Sequence, residues 1–278
     1  MIDAQTKLLA LLGHPVSHSL SPLFQNAALQ HLCLPFVYLA FDVLPEHLGE
    51  VVSAFRILGV SGFNVTIPHK EAVCSYLDEL REEAALLSSV NTVVAQEGRL
   101  IGYNTDVYGF RKSLEEEKVE VRGETFLLLG AGGVAKALLF VLAEKGVRKI
   151  LLANRTRSRA EALSRWALQA LGVCCEVLDW GTLEGGTEVP VGGIIQATSL
   201  GMAGEIPPIP WESLAPQGVV VDVVYHREGT PLVREAKRRG FKSFDGKRML
   251  LHQGARSFTL FTGVEAPLLV MEEALSGR

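Results

Sequence analysis

Short runs of apolar residues separated by turn signals divide the first hundred residues into strands. Leucine-rich, β-branched or aromatic runs of four to eight residues are typical of buried strands. The strands predicted on this basis are Leu8–Leu12, Phe36–Val43, Gly62–Ile67, Val90–Gln96 and Arg99–Tyr103. The last two flank Glu97-Gly98, a two-residue connection that favours a tight hairpin.

Helices are predicted in the segments between these strands. We expect one helix to begin with Ser21 as N-cap and Pro22 at the first helical position. Apolar residues after Pro45 recur at helical spacing and predict a second helix. These residues are Leu48, Val51, Val52, Phe55 and Leu58. Pro68 is expected to open a third helix.

From Thr125 onward strands and helices alternate, which is typical of a doubly wound α/β fold. The predicted strands are Thr125–Leu129, Lys149–Ala153, Gly193–Gln196 and Gly218–Val223, with helices at Val134–Glu144, Ser158–Leu171 and Pro231–Arg239. A final helix is expected over Met249–Gly263. The helix at Asp106–Glu117 is the expected junction between the two halves. The pattern as a whole predicts an α/β protein of two domains.

Composition narrows the class of protein. The chain has 278 residues, 48% of them hydrophobic and 21% charged, with a formal net charge of -4. These values favour a folded protein and give no basic footprint for nucleic acid. No apolar run reaches the roughly 20 residues that cross a bilayer, and the amino terminus lacks a secretion signal. We therefore expect a cytoplasmic protein without nucleic-acid or membrane partners.

The cysteines and histidines do not form metal-binding patterns. Cys33, Cys74, Cys174 and Cys175 make no C-x-x-C pair. We interpret them as buried, reduced thiols. The seven histidines are scattered, so no metal site is expected.

A glycine-rich turn follows the apolar strand that ends at Leu129. Residues 130–135, GAGGVA, match the G-x-G-x-x-A pattern of dinucleotide-binding proteins. Gly130 permits the tight turn, Gly132 lets the backbone approach a pyrophosphate, and Ala135 keeps the helix near the strand. The alternative is that the glycines merely connect a strand to a helix. The strand–turn–helix–strand context favours dinucleotide binding.

The end of the next strand indicates which dinucleotide is bound. Sites for NAD usually carry an acidic residue there, whereas this chain has Asn154-Arg155-Thr156-Arg157-Ser158-Arg159. A carboxylate would repel a 2′-phosphate, and arginine guanidinium groups match phosphate oxygens. The alternative is a solvated basic helix start, which would oppose the helix dipole. The segment favours NADP(H).

Polar residues cluster at three expected strand ends in the first half, at His18–Pro22, Asn64–Lys70 and Asn104–Asp106. Ligands of open α/β sheets bind beyond the carboxyl ends of strands. Purely local roles remain open as well, since Ser21 and Asp106 could cap helices and Thr66 could simply suit a strand. Lys70 is expected in the first turn after Pro68, where the helix dipole disfavours a cation. Lys70 and Asp106 are therefore candidates for a proton relay beside a carbonyl group.

Together these motifs resemble the shikimate dehydrogenase family, whose members reduce 3-dehydroshikimate with NADPH in aromatic amino acid and chorismate biosynthesis. The resemblance covers nearly the whole chain. The motifs are GHPVSHSLSP, NVTIPHK, SVNTVV, GYNTDVYGF, GAGGVAKA, NRTRSRA, ATSLGM and MLLHQGARSF.

The resemblance implies roles for individual residues. The catalytic lysine and its partner match Lys70 and Asp106. The expected substrate contacts are Ser19, Ser21, Asn64, Thr66, Asn91, Tyr225 and Gln253. The expected cofactor contacts are Gly130, Ala131, Gly132, Gly133, Val134, Ala135, Asn154, Arg155, Thr156, Arg159, Thr198, Ser199 and Met202.

The resemblance also implies the domain layout. A substrate-binding domain is expected over residues 1–106, with 242–278 returning to it as a C-terminal helix, and a Rossmann NADP-binding domain over 107–241. The chain departs from the family after Tyr225, where His226–Pro231 lacks the usual early proline. Two alternatives remain: a quinate/shikimate dehydrogenase that uses NAD or NADP, and a ligand-sensing relative without catalysis. Either a monomer or a homodimer is consistent with the sequence.

Overall fold

The computed structural model describes residues 2–226 and 228–277, which form two compact units. Unit 1 contains the residues up to Gly109 together with those from Leu250 onward, and unit 2 is Phe110–Met249. Each unit is built on a six-stranded sheet.

The sheet of unit 1 is mixed. Its strands are β1 (Lys7–Gly13), β2 (Phe36–Asp42), β3 (Gly62–Val65), β4 (Glu79–Leu80), β5 (Thr92–Gln96) and β6 (Arg99–Tyr103), in the order β2-β1-β3-β5-β6-β4. β1 pairs in parallel with β2 and β3, and β5 lies antiparallel between β3 and β6. The carboxyl ends of β1, β3 and β6 and the amino end of β5 therefore meet at one edge of the sheet.

Helices cover both faces of this sheet. The helices of the chain are α1 (Ser21–His31), α2 (Leu48–Ile57), α3 (Glu83–Leu87), α4 (Asp106–Glu116), α5 (Ala135–Glu144), α6 (Arg157–Leu171), α7 (Pro231–Arg238), α8 (Lys247–Thr262) and α9 (Leu268–Ser276). Alternate residues of β1 point to opposite faces. Leu9 belongs to an apolar cluster with α1, α8 and α9, and Ala10 belongs to another with α2. The later part of α8 and all of α9 therefore help to form the core of unit 1.

On the outer strand β2, the backbone N–H and C=O of Tyr38 are hydrogen-bonded to a side chain. Asn26 on α1 donates from Nδ2 to the Tyr38 carbonyl oxygen at 2.8 Å and accepts at Oδ1 from the Tyr38 N–H at 2.9 Å. Its Nδ2 also donates to the Pro22 carbonyl oxygen at 2.8 Å. One amide side chain thus satisfies both backbone groups of Tyr38 and ties α1 to β2.

The sheet of unit 2 is wholly parallel. Its strands are β7 (Thr125–Leu129), β8 (Lys149–Ala153), β9 (Cys175–Val177), β10 (Val191–Gln196), β11 (Leu214–Asp222) and β12 (Lys242–Phe244), in the order β12-β11-β10-β7-β8-β9. Every neighbouring pair is parallel. This is the strand order of the dinucleotide-binding Rossmann fold, with its topological switch point between β7 and β10.

Most predicted elements occur with small changes in their bounds. β6, β7 and β8 have the predicted limits, and Glu97-Gly98 forms the hairpin turn with both residues at positive φ. Among the strands and α-helices of the described residues, β4, β9, β12, α3 and α9 were not predicted from the sequence. The missed strands have two or three residues and α3 has five, which is too short for a period to appear.

Two local predictions were wrong. Ser21 is the first residue of α1 rather than its N-cap, and its N–H is accepted by the Ser19 hydroxyl at 3.2 Å. The helix expected at Pro68 is a turn followed by a 3-10 helix at Ala72–Tyr76. The Lys70 carbonyl accepts the Val90 N–H at 2.8 Å, so this carbonyl is used across the fold rather than along a regular α-helix.

The thiols and the carboxyl-terminal segment also differ from expectation. All four cysteines are free, but Cys33 and Cys174 are exposed and only Cys175 is buried. Cys33 follows α1 at a positive φ, and Cys174 precedes the short strand β9. The returning segment was expected to begin at residue 242. In the structure Lys242–Phe244 pairs with β11, and unit 1 resumes at Leu250.

Candidate active site

Lys70 and Asp106 form an ion pair at the ligand-facing edge of unit 1. Lys70 lies in the turn after β3, and Asp106 is the first residue of α4, just after β6. Lys70 Nζ is 2.6 Å from Asp106 Oδ2, and the two side chains are only 13% and 7% exposed. A helix dipole does not act on Lys70, because no regular helix begins there. The buried pair with Asp106 is instead the reason to regard Lys70 as functional.

The turn that carries Lys70 is held on both sides. The buried ring of His69 lies with Nε2 2.7 Å from the Val43 carbonyl oxygen, which can only accept, so Nε2 carries the proton. The Lys70 carbonyl is bonded to Val90. The backbone of the lysine is therefore fixed between the ends of two other segments.

Asn91 engages the second oxygen of Asp106. Its Nδ2 lies 3.0 Å from Asp106 Oδ1, and its Oδ1 accepts the Thr105 N–H at 2.7 Å. The backbone donor fixes which end of the amide is oxygen, so the NH2 group faces the carboxylate and Gln253, whose Oε1 is 3.3 Å away. Each oxygen of Asp106 thus has its own hydrogen-bond donor, Lys70 Nζ for Oδ2 and Asn91 Nδ2 for Oδ1.

Asn64 lies in a buried hydrogen-bond network beside this pair. Its Nδ2 is 2.9 Å from the Asn91 carbonyl oxygen, and its Oδ1 accepts from the Tyr38 hydroxyl at 2.7 Å. The network also includes the hydroxyls of Thr92, Thr105 and Ser257. Sequence reasoning missed Tyr38, Thr92 and Ser257, and it included Thr105 only as part of the polar segment Asn104–Asp106. Two signals were available: a tyrosine on a core strand needs a partner for its hydroxyl, and Ser257 lies one helical turn after Gln253.

The remaining substrate candidates of unit 1 lie at the same edge. Ser19 and Ser21 follow β1, and Thr66 directly follows β3. The Thr66 backbone N–H is bonded to Leu12, yet neither the Ser21 nor the Thr66 hydroxyl has a protein partner among the described residues. The hydroxyls of Ser21 and Thr66 are therefore available for a ligand. Asp106 is more than a helix cap, because its side chain pairs with Lys70.

The glycine turn of unit 2 lies at the switch point of its sheet. Gly130 has φ +113°, and a Cβ there would lie 2.8 Å from the backbone of Ala197 in the loop after β10. A Cβ added at Gly132 would have no other described protein atom within 4 Å apart from its chain neighbours, so there is open space beside this residue. α5 then begins at Ala135 without a side-chain cap. A helix start without a side-chain cap and open space beside the turn suit a pyrophosphate.

The segment after β8 presents arginines to solvent. Asn154 is tied into the turn, since its Oδ1 accepts the Ala131 N–H at 3.2 Å. Arg155, Thr156 and Arg159 are exposed. Arg157 is paired with Glu161 at 3.0 Å, whereas in the described part of the chain Arg155 and Arg159 have no carboxylate partner. Two guanidinium groups are thus available for a phosphate.

Two further loops follow the carboxyl ends of β10 and β11. The Thr198 N–H is bonded to Gln196 Oε1 at 2.5 Å, Ser199 precedes a short 3-10 helix, and Met202 in that helix is 54% exposed. Tyr225 is half-buried three residues after β11. In the loop with the altered family pattern, Arg227 lies outside the described residues.

A buried acid that sequence reasoning missed supports these loops. Asp222 ends β11 with no exposed surface, and its Oδ1 accepts the Val224 N–H at 3.0 Å. A Cβ on Gly201 would lie 3.3 Å from Asp222 Oδ2. Burial raises the pKa of Asp222 to about 6, although hydrogen bonds from Thr230 and Val224 oppose the shift. Asp222 therefore bonds the loop after β11 and lies close to Gly201 in the loop after β10.

Neither a metal cluster nor a membrane span was found in the described ranges. Within residues 2–226 and 228–277, no three His, Cys, Asp or Glu side chains are grouped to hold a metal ion. Over the same ranges, no helix combines the length and the apolar character of a transmembrane segment.

Family models match most of unit 1 and nearly half of unit 2. The shikimate dehydrogenase substrate binding domain matches residues 11–93, and the shikimate/quinate 5-dehydrogenase model matches residues 113–175. The shikimate 5'-dehydrogenase C-terminal domain matches residues 246–275.

Individual proteins are similar over almost their full lengths. Shikimate dehydrogenase (NADP(+)) of Caldanaerobacter subterraneus subsp. tengcongensis is 43% identical over 264 residues, 94% of each chain. A crystal structure of shikimate dehydrogenase in complex with NADP+ has a TM-score of 0.90 at 41% identity and covers 99% of this chain and 96% of that one. Quinate dehydrogenase from Corynebacterium glutamicum in complex with NAD has a TM-score of 0.89 at 32% identity, with 98% and 99% covered. The chain belongs to the shikimate dehydrogenase family.

Proposed function

We propose that the protein catalyses the reversible, NADPH-dependent reduction of 3-dehydroshikimate to shikimate, a step of aromatic amino acid and chorismate biosynthesis. The buried pair of Lys70 and Asp106 carries the proposal, because it supplies a proton donor fixed among groups suited to a small polyol. The similarity to relatives named shikimate dehydrogenase (NADP(+)) supports the same reaction.

The residues of unit 2 fit NADP(H). The Gly130–Ala135 turn and the uncapped start of α5 would hold the pyrophosphate. Arg155 and Arg159 would bind the 2′-phosphate, with Asn154 and Thr156 beside them. Thr198, Ser199 and Met202 would line the ribose and nicotinamide end. When bound, NADPH supplies the hydride.

The residues of unit 1 would bind the substrate and move the proton. The hydroxyls of Ser19, Ser21 and Thr66 would bind its carboxylate. The amides of Asn64, Asn91 and Gln253 would bind the ring hydroxyls, with Tyr225 as a further contact.

Lys70 would donate the proton from Nζ to the developing alkoxide. Asp106 would hold the ammonium in place and accept a hydrogen bond from a ring hydroxyl of the substrate. Asp106 already accepts from both Lys70 and Asn91, so the lysine is the better proton donor of the two. A positioned acid of this kind contributes about 10²–10⁴ to a rate.

Two alternatives are less well supported. Quinate oxidation with NAD is less well supported because the quinate dehydrogenase structure is 32% identical, against 41% for the shikimate dehydrogenase structure with NADP+. In addition, Arg155 and Arg159, which have no carboxylate partner in the described part of the chain, lie in the segment after β8. For a ligand sensor without catalysis, a lysine and aspartate held 2.6 Å apart would have no need to be retained. The proposal also includes a cytoplasmic location and either a monomeric or a homodimeric state.

A four-way assay tests the proposal. Dinucleotide reduction is followed spectrophotometrically with shikimate or quinate, each in the presence of NADP or NAD. We expect the highest kcat/KM for shikimate with NADP. A higher value for quinate with NAD would favour the dehydrogenase alternative, and tight binding of shikimate without turnover would favour the sensor.

A further inference from the structure

Tyr38 is a buried tyrosine whose hydroxyl points toward the ligand-facing edge of unit 1. It lies on β2 with no exposed surface, among the apolar residues of the α1, α8 and α9 cluster. Its hydroxyl lies 2.7 Å from Asn64 Oδ1. Burial raises the pKa of Tyr38 far above its ordinary value, so the phenol stays protonated and can donate this hydrogen bond.

The Asn91 carbonyl oxygen can only accept, so it fixes which end of the Asn64 amide is NH2, and the Tyr38 hydroxyl meets the oxygen end. With Oδ1 facing Tyr38, the NH2 group faces the opposite side. There it meets three acceptors: the Asn91 carbonyl oxygen at 2.9 Å, Thr92 Oγ1 at 2.9 Å and Ser257 Oγ at 3.0 Å. If the amide were reversed, its NH2 group would face the Tyr38 hydroxyl and its oxygen would face a carbonyl oxygen. The contact between two oxygens disfavours the reversed amide, and the Tyr38 hydroxyl supplies the hydrogen bond that holds Oδ1 in its place.

The same network reaches the catalytic pair. The Ser257 hydroxyl lies 3.1 Å from Thr105 Oγ1, and the Thr92 hydroxyl donates to Asn91 Oδ1 at 3.1 Å. Asn91 then donates to Asp106, which holds Lys70. All members of this path are buried or nearly so, and a polar network inside a protein is rigid only when each member has its partners.

We propose that Tyr38 is a positioning residue for the reaction: its hydroxyl anchors the Oδ1 end of the Asn64 amide and, through this amide, the groups that bind the ring hydroxyls and hold Asp106. This inference rests on the proposed function, because it assigns Asn64 and Asn91 to the substrate. Tyr38 itself does not contact the substrate in this proposal and acts only through Asn64.

Tyr38→Phe removes the hydroxyl and leaves the ring in place. Losing a neutral hydrogen bond typically costs a factor of roughly three to ten. We expect kcat/KM for shikimate to fall by that factor, mainly through KM, while the KM for NADP stays within about twofold. The matched control is Tyr103→Phe. Tyr103 is also a buried tyrosine of this sheet, but its hydroxyl bonds Arg81, and this variant should keep wild-type kinetics.

A double-mutant cycle separates positioning from general stabilisation. If Tyr38 acts through Asn64, Tyr38→Phe should have little further effect on KM in an Asn64→Ala background. Additive effects, or an unchanged KM in the single variant, would overturn the proposal. Should Tyr38→Phe fail to fold, Asn64→Ala alone removes the acceptor of the Tyr38 hydroxyl, and an unchanged KM for shikimate in that variant would overturn the proposal equally.

A readout without turnover distinguishes this inference from the proposed function. The side-chain amide NMR resonances of Asn64 and Asn91 should shift in Tyr38→Phe and not in Tyr103→Phe, whatever reaction the protein catalyses. Unchanged amide resonances would contradict the role of Tyr38. A wild-type protein without activity on shikimate would instead contradict the proposed function.

Discussion

The two units build the ligand-facing edges of their sheets from different parts of the polypeptide. In unit 1 the edge consists of side chains, and Asp106 accepts hydrogen bonds from both Lys70 and Asn91. In unit 2 it consists largely of backbone, with a glycine turn, an uncapped helix and exposed arginines. A closed side-chain network suits a ligand with a fixed pattern of hydroxyls, whereas open backbone N–H groups and guanidinium groups suit phosphates.

The strongest test of the side-chain edge is Lys70→Ala. If Lys70 donates the proton, kcat should fall by about 10²–10⁴ while shikimate binding changes only a few fold. Steady-state kinetics and a shikimate titration measure the two effects. Turnover near that of the wild type would remove Lys70 from the mechanism.

The arginines test whether unit 2 recognises phosphate through side chains. Charge-assisted hydrogen bonds contribute about 1.5–3 kcal/mol, so Arg155→Ala and Arg159→Ala should each raise the KM for NADPH by roughly 10- to 100-fold. The KM for NADH should change little. Arg157→Ala is the matched control, because Arg157 is already paired with Glu161. Equal losses with both cofactors would show that these residues do not read the 2′-phosphate.

Asp222 is the exception in unit 2, a buried side chain at an edge otherwise made of backbone. Its pKa is raised from 3.8 to about 6, so between these values the folded protein keeps a proton that the unfolded chain releases. Its contribution to stability is therefore full below about pH 4 and is lost as the pH rises through about 6, by roughly 3 kcal/mol.

Urea unfolding of wild type and Asp222→Asn measures this effect. The variant lacks the titrating group, so its stability relative to wild type should increase between pH 4 and pH 7. Asp245→Asn is the control: it removes a neighbouring negative charge, and the pH window should move downward rather than disappear. A pH-independent difference between wild type and Asp222→Asn would contradict the raised pKa.

Two glycines sharpen the claim that backbone forms the edge of unit 2. Gly130→Ala places a Cβ against Ala197 at a positive φ and should lower stability by about 1–3 kcal/mol. Gly132→Ala meets no protein atom, so it should melt like the wild type but bind NADP less tightly. Thermal melts and NADP titrations of both variants provide the measurement. Equal losses of stability in the two variants would contradict the claim that a Cβ clashes at Gly130 and fits at Gly132.

The sequence predicted the second sheet better than the site of the first. Strands such as Lys149–Ala153 are continuous apolar runs in a regular alternation, so their bounds were readable. Lys70 was chosen as a candidate because a helix was expected to begin at Pro68, and no regular helix begins there. The Lys70 carbonyl instead bonds Val90, and a contact between residues so far apart in sequence could not be predicted from local pattern. Tyr38 and Ser257 looked like ordinary strand and helix residues. Their roles depend on partners such as Asn64, which only the folded chain brings near them.

The amide of Asn26 has a consequence for self-association. β2 is a seven-residue outer strand whose only charged residue is Asp42 at its end, and such edges are templates for intermolecular strand addition. Asn26 occupies the N–H and C=O of Tyr38 near the middle of that strand. An incoming strand would have to displace this amide before it could pair along the whole edge. A helix side chain thus gives this sheet a degree of protection from aggregation that charged residues supply in many other proteins.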